Sequence, residues 1–178
     1  EKLIPAFLDE SVDIHTVLSA LEEDREAAIE EYGFIKSTMG TDPAFKVKGE
    51  AKVLEFDTSS RNRLLVLDLL PADRDADVEL QVGPVIRGTA IRESVEFISF
   101  SDVGNQIQFA NLADELNARM KEKVVQPLDL ENTDIEGKTL CFYGTFKLEP
   151  DQKLENIVIT PLKLEVVHAD QGKEEKEE

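Results

Sequence analysis

Two stretches of the chain read as copies of one another, and each is centred on a glycine. The first copy spans residues 47–53 around Gly49, and the second spans residues 142–148 around Gly144. Each copy runs into a polar loop and then into a second apolar run. Internal repetition limits the architectures open to a chain, because each copy adds the same structural unit. The sequence therefore predicts two related β-units.

Periodicity predicts the elements around these copies. Apolar residues at helical spacing begin after Asp13, a typical N-cap residue, and recur from Phe109 to Val124 after a cap at Ser101 or Asp102. Elsewhere the apolar residues alternate with period two, which is typical of half-buried strands. This alternation predicts strands at residues 45–56, 63–70, 78–87, 95–100, 138–148 and 156–167.

The order of these elements divides the chain into five parts. They are a helical segment and linker at 1–44, a first β-unit at 45–100, a connecting helix at 101–127, a second, partial β-unit at 128–168 and an acidic tail at 169–178. Closure into a short barrel with a lid helix removes unpaired strand edges. The second unit has only two convincing strands, so we expect it to borrow strands from the first unit or to pack on it as a partial barrel.

Charge excludes one class of partner. The 178 residues include 38 acidic and 20 basic side chains, which gives a net charge of -18. Affinity for nucleic acids depends on Lys and Arg displacing counterions from phosphates, so we expect no nucleic-acid partner. The same charge disfavours direct binding to anionic membrane surfaces.

A longer pattern resembles a known family. It comprises Gln-Val-Gly-Pro-Val-Ile-Arg-Gly-Thr-Ala-Ile-Arg at residues 81–92, Phe-Ile-Ser-Phe at 97–100 and Asn-Gln-Ile at 105–107. With the N-terminal helix and the stretch that ends near Val166, the pattern resembles a family of predicted bacterial periplasmic lipoproteins of unknown function. The resemblance implies a mainly β fold with flanking helices, built as two tandem OB-like barrels that share or swap their C-terminal strands. It also implies a lipobox cysteine upstream of Glu1, a periplasmic, lipid-anchored location and an association with sugar ABC transporters.

Polar residues interrupt the apolar sequence between Ile86 and the predicted lid helix. Arginines placed among apolar residues are costly to bury unless their guanidinium groups meet carboxylates or a ligand. One interpretation is structural, in which the arginines pair with carboxylates such as Asp102 and hold the lid helix. The other is a small polar pocket between barrel and helix that receives an anionic or hydroxyl-rich ligand. The candidate ligand-binding residues are Arg87, Thr89, Arg92, Asp102 and Asn105.

The acidic loop, the glycines and the single cysteine are the other features that bear on metal, cofactor or catalytic sites. Asp73, Asp75 and Asp77 form an alternating acidic loop whose carboxylates suit Ca²⁺, although Val78 and Pro84 stand where an EF-hand needs Gly and Glu, which favours a solvated loop. No phosphate-binding glycine motif is present, and we expect no cofactor. The single cysteine, in the apolar run 139–143, is expected to be a buried, inert thiol.

Two function classes follow. The first is a non-enzymatic extracytoplasmic binding or accessory protein whose partners are membrane transporter components or a small polar ligand, with a lipid anchor as its link to the membrane. The alternative is a carbohydrate-active hydrolase that works through acidic residues. The absence of Trp and the presence of only two tyrosines, Tyr32 and Tyr143, argue against a stacking platform for sugars in either class.

The charge generates a first prediction. At physiological salt the protein should not bind single- or double-stranded DNA or RNA, because -18 net charges repel phosphate backbones. Fluorescence anisotropy with labelled oligonucleotides measures this directly. Tight binding that weakens as salt is raised would contradict the prediction.

Overall fold

The computed structural model describes residues 3–35, 42–94 and 105–167. The elements of the N-terminal segment are α1 (Leu3–Glu10), β1 (Val12–Asp13), α2 (Ile14–Glu23), α3 (Arg25–Tyr32) and β2 (Gly33–Phe34). The following elements are β3 (Ala44–Asp57), β4 (Leu64–Leu69), β5 (Val78–Gln81), α4 (Ala90–Glu93) and α5 (Gln106–Met120). Helix α5 continues as a π-helical turn (Lys121–Val125) and a 3₁₀ turn (Gln126–Leu128), before β6 (Thr139–Lys147) and β7 (Ile157–Val167).

Five of the strands close into a barrel. The pairing order is β3-β4-β5-β7-β6, and β6 pairs back onto β3. Every neighbouring pair is antiparallel except β5 and β7, which run parallel. Helix α5 lies in the connection between the third and fourth strands of the barrel. A closed five-stranded barrel of this kind is OB-like.

This topology corrects the expectation of two tandem barrels. Strands β3, β4 and β5 come from the first β-unit, while β6 and β7 come from the second, yet all five belong to one barrel in the described residues. The reason is the length of β3, which pairs with β6 through residues 44–52 and with β4 through residues 51–57. Strand β7 does pair outside its own unit, with β5 through residues 157–159, but its remaining paired residues lie against β6.

The two repeat-centre glycines lie on neighbouring strands. Gly49 stands opposite Phe142, and Gly144 stands opposite Val47. A Cβ atom on Gly49 would lie 2.8 Å from Cγ2 of Ile14, so glycine lets α2 approach the barrel. On Gly144 it would lie 2.5 Å from a side-chain methyl of β7 and 2.8 Å from a main-chain oxygen of the same strand. Both glycines are required by close packing.

The N-terminal segment is part of the same core. Strands β1 and β2 pair with β3 on the edge opposite β6. The predicted N-cap is confirmed, since the carboxylate of Asp13 accepts a hydrogen bond of 2.9 Å from the backbone N–H of His15. Buried residues of the helices, including Phe7 and Val17, join the barrel core, where the rings of Phe45 and Phe146 stack with centroids 5.1 Å apart.

The second predicted helix is confirmed with different ends. It begins after Asn105, whose side chain accepts a hydrogen bond from the N–H of Gln108, and its α-helical part stops at Met120. The proposed caps Ser101 and Asp102 and the predicted strand at 95–100 lie outside the described residues. Within the described ranges, none of the helices combines the length and apolar character needed to span a bilayer.

The crowding at Gly144 generates a stability prediction. Gly144→Ala should lower the free energy of unfolding by about 1–3 kcal/mol, because the new methyl group would collide with the backbone of β7. The matched control is Thr139→Ala on the same strand, which should cost less than about 1 kcal/mol. Chemical denaturation of both variants measures the difference. Equal losses in the two variants would refute the packing argument.

Candidate functional site

A polar cleft of about 490 Å³ opens where β5 and β6 end and β7 begins. Four segments supply most of its walls: the loop after β5, the last residues of β6, the β6–β7 loop and the first residues of β7. Asp42 and Asn62 complete the cleft from the approaches to β3 and β4. Its polar and charged lining residues are Asp42, Asn62, Gln81, Arg87, Thr89, Lys147, Glu149, Gln152, Asn156 and Thr160.

Two buried amides fix the backbone of the loop that carries Arg87. The side chain of Gln81 donates a 2.9 Å hydrogen bond to the carbonyl oxygen of Arg87 and accepts another of 2.9 Å from its N–H. On α5, Asn117 donates to the carbonyl oxygen of Gly88 at 3.0 Å, and Gly88 itself has a φ of 90°. A positive φ of this kind favours glycine. The main chain at residues 87–88 is therefore held from both sides.

The side chain of Arg87 contrasts with its backbone. It is exposed to solvent, and its guanidinium group forms no hydrogen bond or ion pair with any of the described residues. Arginine presents five N–H donors in a fork that matches carboxylates and phosphates. The cleft therefore presents a hydrogen-bond donor group on a backbone that is itself held by hydrogen bonds.

Beneath the loop lies a buried ionic network centred on Glu93. Its Oε1 atom accepts hydrogen bonds of 2.9 Å from Thr89 Oγ1 and from Arg92 Nη2. Its Oε2 atom lies 2.9 Å from Nζ of Lys147 on β6. Arg92 also donates to the carbonyl oxygen of Phe109 at 2.9 Å and lies over its ring, 3.9 Å from the centroid. The network thus joins α4, α5 and β6.

The network keeps Glu93 ionised. Burial alone raises the pKa of a carboxyl group, but hydrogen bonds from Lys147, Arg92 and Thr89 outweigh it and hold the pKa of Glu93 below its usual range. Glu93 therefore acts as a fixed counter-ion for Arg92 and Lys147, because a carboxylate with a lowered pKa is a poor proton donor at neutral pH.

The structure separates the candidate ligand-binding residues from one another. Arg87 and Thr89 line the cleft, whereas Arg92 is buried below it, 5% exposed, and has the structural environment of an internal ion pair. Among the described residues, Glu93, the next residue in the chain, is a carboxylate partner of Arg92. Asn105 caps α5 and does not line the cleft, and Asp102 lies outside the described residues.

Several site residues escaped prediction from the sequence. Lys147 belongs to the alternation of a strand, and Asn62 and Glu149 lie in polar loops, so nothing local distinguishes them from surface residues. Gln81 also lacked a local signal, because it occupies a polar position in the alternating strand Val-Glu-Leu-Gln. Its amide is 3% exposed and also bonds to Thr160 Oγ1.

The acidic loop has a different composition from the one expected. Carboxylate oxygens of Asp68, Asp73 and Asp77 lie within 4.8 Å of one another, and Asp75 is outside this group. Asp68 is 1% exposed, and its carboxylate accepts the backbone N–H groups of Asp73 at 3.2 Å and Arg74 at 2.7 Å. Asp77 accepts the N–H of Leu69 at 2.8 Å. These bonds account for the turn between β4 and β5 without a cation.

Cys141 is half-buried, so the expectation of a buried thiol is wrong. It lies in a groove of about 350 Å³ with His15, and its thiol donates to Oε1 of Glu50 at 3.3 Å. Burial, followed by the hydrogen bond and negative charge of Glu50, raises the pKa of Cys141. The thiol therefore stays protonated at neutral pH, which agrees with the expected lack of reactivity.

Comparison with known proteins is informative at the level of family and fold. The family model described as "Predicted periplasmic lipoprotein (DUF2291)" matches residues 1–165. The chain belongs to this family. Membership confirms the resemblance inferred from the sequence and places this DUF2291 protein among periplasmic lipoproteins. A search of curated proteins finds no match.

One solved structure supports the fold of this DUF2291 protein. The chain is similar to an OB-fold protein from Thermotoga maritima, with a TM-score of 0.73 and 21% sequence identity over 92% of each chain. At this identity the similarity shows the fold alone. It confirms the OB-like, mainly β architecture with flanking helices.

The network around Glu93 generates a pH prediction. The folded protein holds the pKa of Glu93 below its unfolded value, so the stabilisation is complete above an unfolded pKa of about 4.3 and disappears as pH falls through the folded pKa. In Glu93→Gln this contribution is absent at every pH. The variant should lose about 2 kcal/mol or more at pH 7, and the loss should shrink below about pH 4.

Denaturant unfolding of wild type and variant at several pH values between neutral and strongly acidic provides the measurement. Glu122→Gln, an exposed carboxylate of the π-helical turn, serves as the matched control and should show little change at any pH. A loss for Glu93→Gln that stays constant from neutral to acidic pH would contradict the assignment.

Proposed function

We propose that the protein is a non-enzymatic periplasmic binding protein that holds a small polar ligand in the cleft beside Arg87. The observation that carries this proposal is the combination at Arg87 of a backbone held by hydrogen bonds and a guanidinium group that has no partner among the described residues. Ligand binding is favoured where the protein has already ordered its own groups, because less conformational entropy is lost on association.

The clustering of buried polar residues around the cleft also supports a binding function. Burying polar side chains is costly unless they are hydrogen-bonded, so their accumulation at one place needs a reason. Of the buried polar or charged residues in the described part of the chain, only Ser11 and Asp68 lie elsewhere. The others are Gln81, Arg92, Glu93, Ser94, Asn117, Thr145 and Thr160, which line the cleft or belong to the elements packed beneath it.

The hydrolase alternative has weaker support. An acidic mechanism uses one carboxyl group with a raised pKa and another that stays ionised. Burial and the negative charge of Asp57 raise the pKa of Glu79, whereas hydrogen bonds from Ser59 lower the pKa of Asp57. Neither residue lines the cleft. Glu93, beside the cleft, is committed to its three hydrogen-bonding partners.

An association with sugar ABC transporters would supply a membrane partner, but it rests on the family resemblance and on no contact in the cleft. The aromatic ring among the described lining residues belongs to Phe146, which is 1% exposed. A buried ring offers no stacking face for a sugar. The cleft therefore selects by charge and hydrogen bonding.

Replacing the two arginines separates binding from stability. In a thermal-shift screen of sugars, organic acids and amino acids, a ligand at 100 times its Kd should stabilise the wild-type protein by about 2.7 kcal/mol. Arg87→Met should reduce that stabilisation to about 1.4 kcal/mol or less, because a tenfold or greater loss of affinity leaves the ligand at about 10 times its Kd or below. The melting temperature of the free protein should change little, because the guanidinium group has no partner among the described residues. Arg92→Met should destabilise the protein by about 3 kcal/mol, since it leaves Glu93 short of a buried partner.

Arg119→Met, an exposed arginine of α5, is the control for loss of a positive charge and should leave the ligand shift unchanged. A ligand shift of full size in Arg87→Met would overturn the proposed site. The absence of any shift in wild type, with all three ligand classes at saturating concentration, would overturn the proposed function.

A further inference from the structure

Charges in the cleft are not balanced within the protein. Lys147 lies 2.9 Å from Glu93 and shares the single negative charge of this carboxylate with Arg92. The other charged lining residues, Arg87, Asp42 and Glu149, form no ion pair with the described residues. One cavity of about 490 Å³ therefore contains a free guanidinium group and two free carboxylates.

Hydrogen-bonding groups add a preference for donors on the ligand. The carboxylates of Asp42 and Glu149 accept hydrogen bonds, whereas the guanidinium group of Arg87 only donates. A ligand that fits this cleft therefore needs one group rich in hydrogen-bond donors and another group that accepts hydrogen bonds.

We infer that the cleft binds a small zwitterion, in which a carboxylate meets Arg87 and an ammonium group is placed toward Asp42 and Glu149. The inference rests on the proposed function and narrows it to the chemistry of α-amino acids. Val158, which is 38% exposed and lines the same cleft, provides apolar contact for the remainder of such a ligand.

The two free carboxylates also discriminate against competing ligands. A simple organic acid would satisfy Arg87 but would meet repulsion from Asp42 and Glu149, and a simple amine would meet the opposite conflict. A neutral sugar would leave all three charges unpaired. Specificity of this kind comes from repulsion of the wrong ligand as well as from attraction of the right one.

Isothermal titration calorimetry with matched ligands tests the inference. The probes are the common amino acids, the α-hydroxy acids lactate, glycerate and malate as counterparts of alanine, serine and aspartate, and the neutral sugars glucose and ribose. At least one amino acid should bind, and an α-hydroxy acid should bind at least about tenfold more weakly than its amino-acid counterpart, which corresponds to about 1.4 kcal/mol.

Charge removal then tests the roles of the residues. Arg87→Met should weaken the best amino acid about tenfold or more. The double variant Asp42→Asn, Glu149→Gln should also weaken that amino acid about tenfold, but it should leave its hydroxy acid counterpart unchanged or tighter. Glu155→Gln, an exposed carboxylate of the β6–β7 loop outside the cleft lining, is the matched control and should bind as wild type does.

The outcomes distinguish this inference from the proposed function. A hydroxy acid or a sugar that binds through Arg87 as tightly as the amino acids would overturn the zwitterion while the binding function stands. Failure of every probe to bind would overturn both. Amino-acid binding of unchanged affinity in Arg87→Met would show that the amino acid binds outside this cleft, and it would overturn the inference.

Discussion

The pairing of β3 with β6 is the constraint on which the structure depends. Nine residues of each strand are in register, from Ala44 opposite Lys147 to Lys52 opposite Thr139. This ladder joins two halves that are far apart in the chain, and it closes the barrel. Because such long-range contacts must form before the core is complete, neither half has a closed barrel without the other. The hydrogen-bonded ladder is therefore the common support for the core and the cleft.

The position of the cleft follows from that closure. The end of β6 brings Lys147 beside Glu93, and Glu93 in turn holds Thr89 and Arg92 around it. Arg87 is thereby supported through the main chain of its own loop, while its charge stays available. A buried network with all of its strong charges paired can specify one arrangement of the surrounding backbone. The paired charges of Glu93, Arg92 and Lys147 thus lie below the cleft, whereas the guanidinium group of Arg87 lies at its surface.

The pattern of residues predicts local structure better than long-range structure, although the strand expected at 78–87 ends at Gln81. The strand expected at 45–56 is observed at Ala44–Asp57, and that expected at 63–70 is observed at Leu64–Leu69, since alternation reflects which side chains face the core. The same alternation contains no information on which strands pair with one another. The sequence therefore predicts two barrels where the structure has one. Arg87 could be selected because arginine is unusual among apolar residues. Its relation to Asn62 and Glu149 depends on the fold and has no local signal.

The short strands β1 and β2 have a consequence for the whole barrel. They occupy the edge of β3 that faces away from β6, where Val12 lies opposite Val47 and Phe34 lies opposite Ala44. An open edge at this place would present unsatisfied N–H and C=O groups to other chains, which is a route to aggregation. The N-terminal segment thus covers this edge of β3 with its own short strands. It therefore limits the pairing of this strand with the exposed edges of other protein chains.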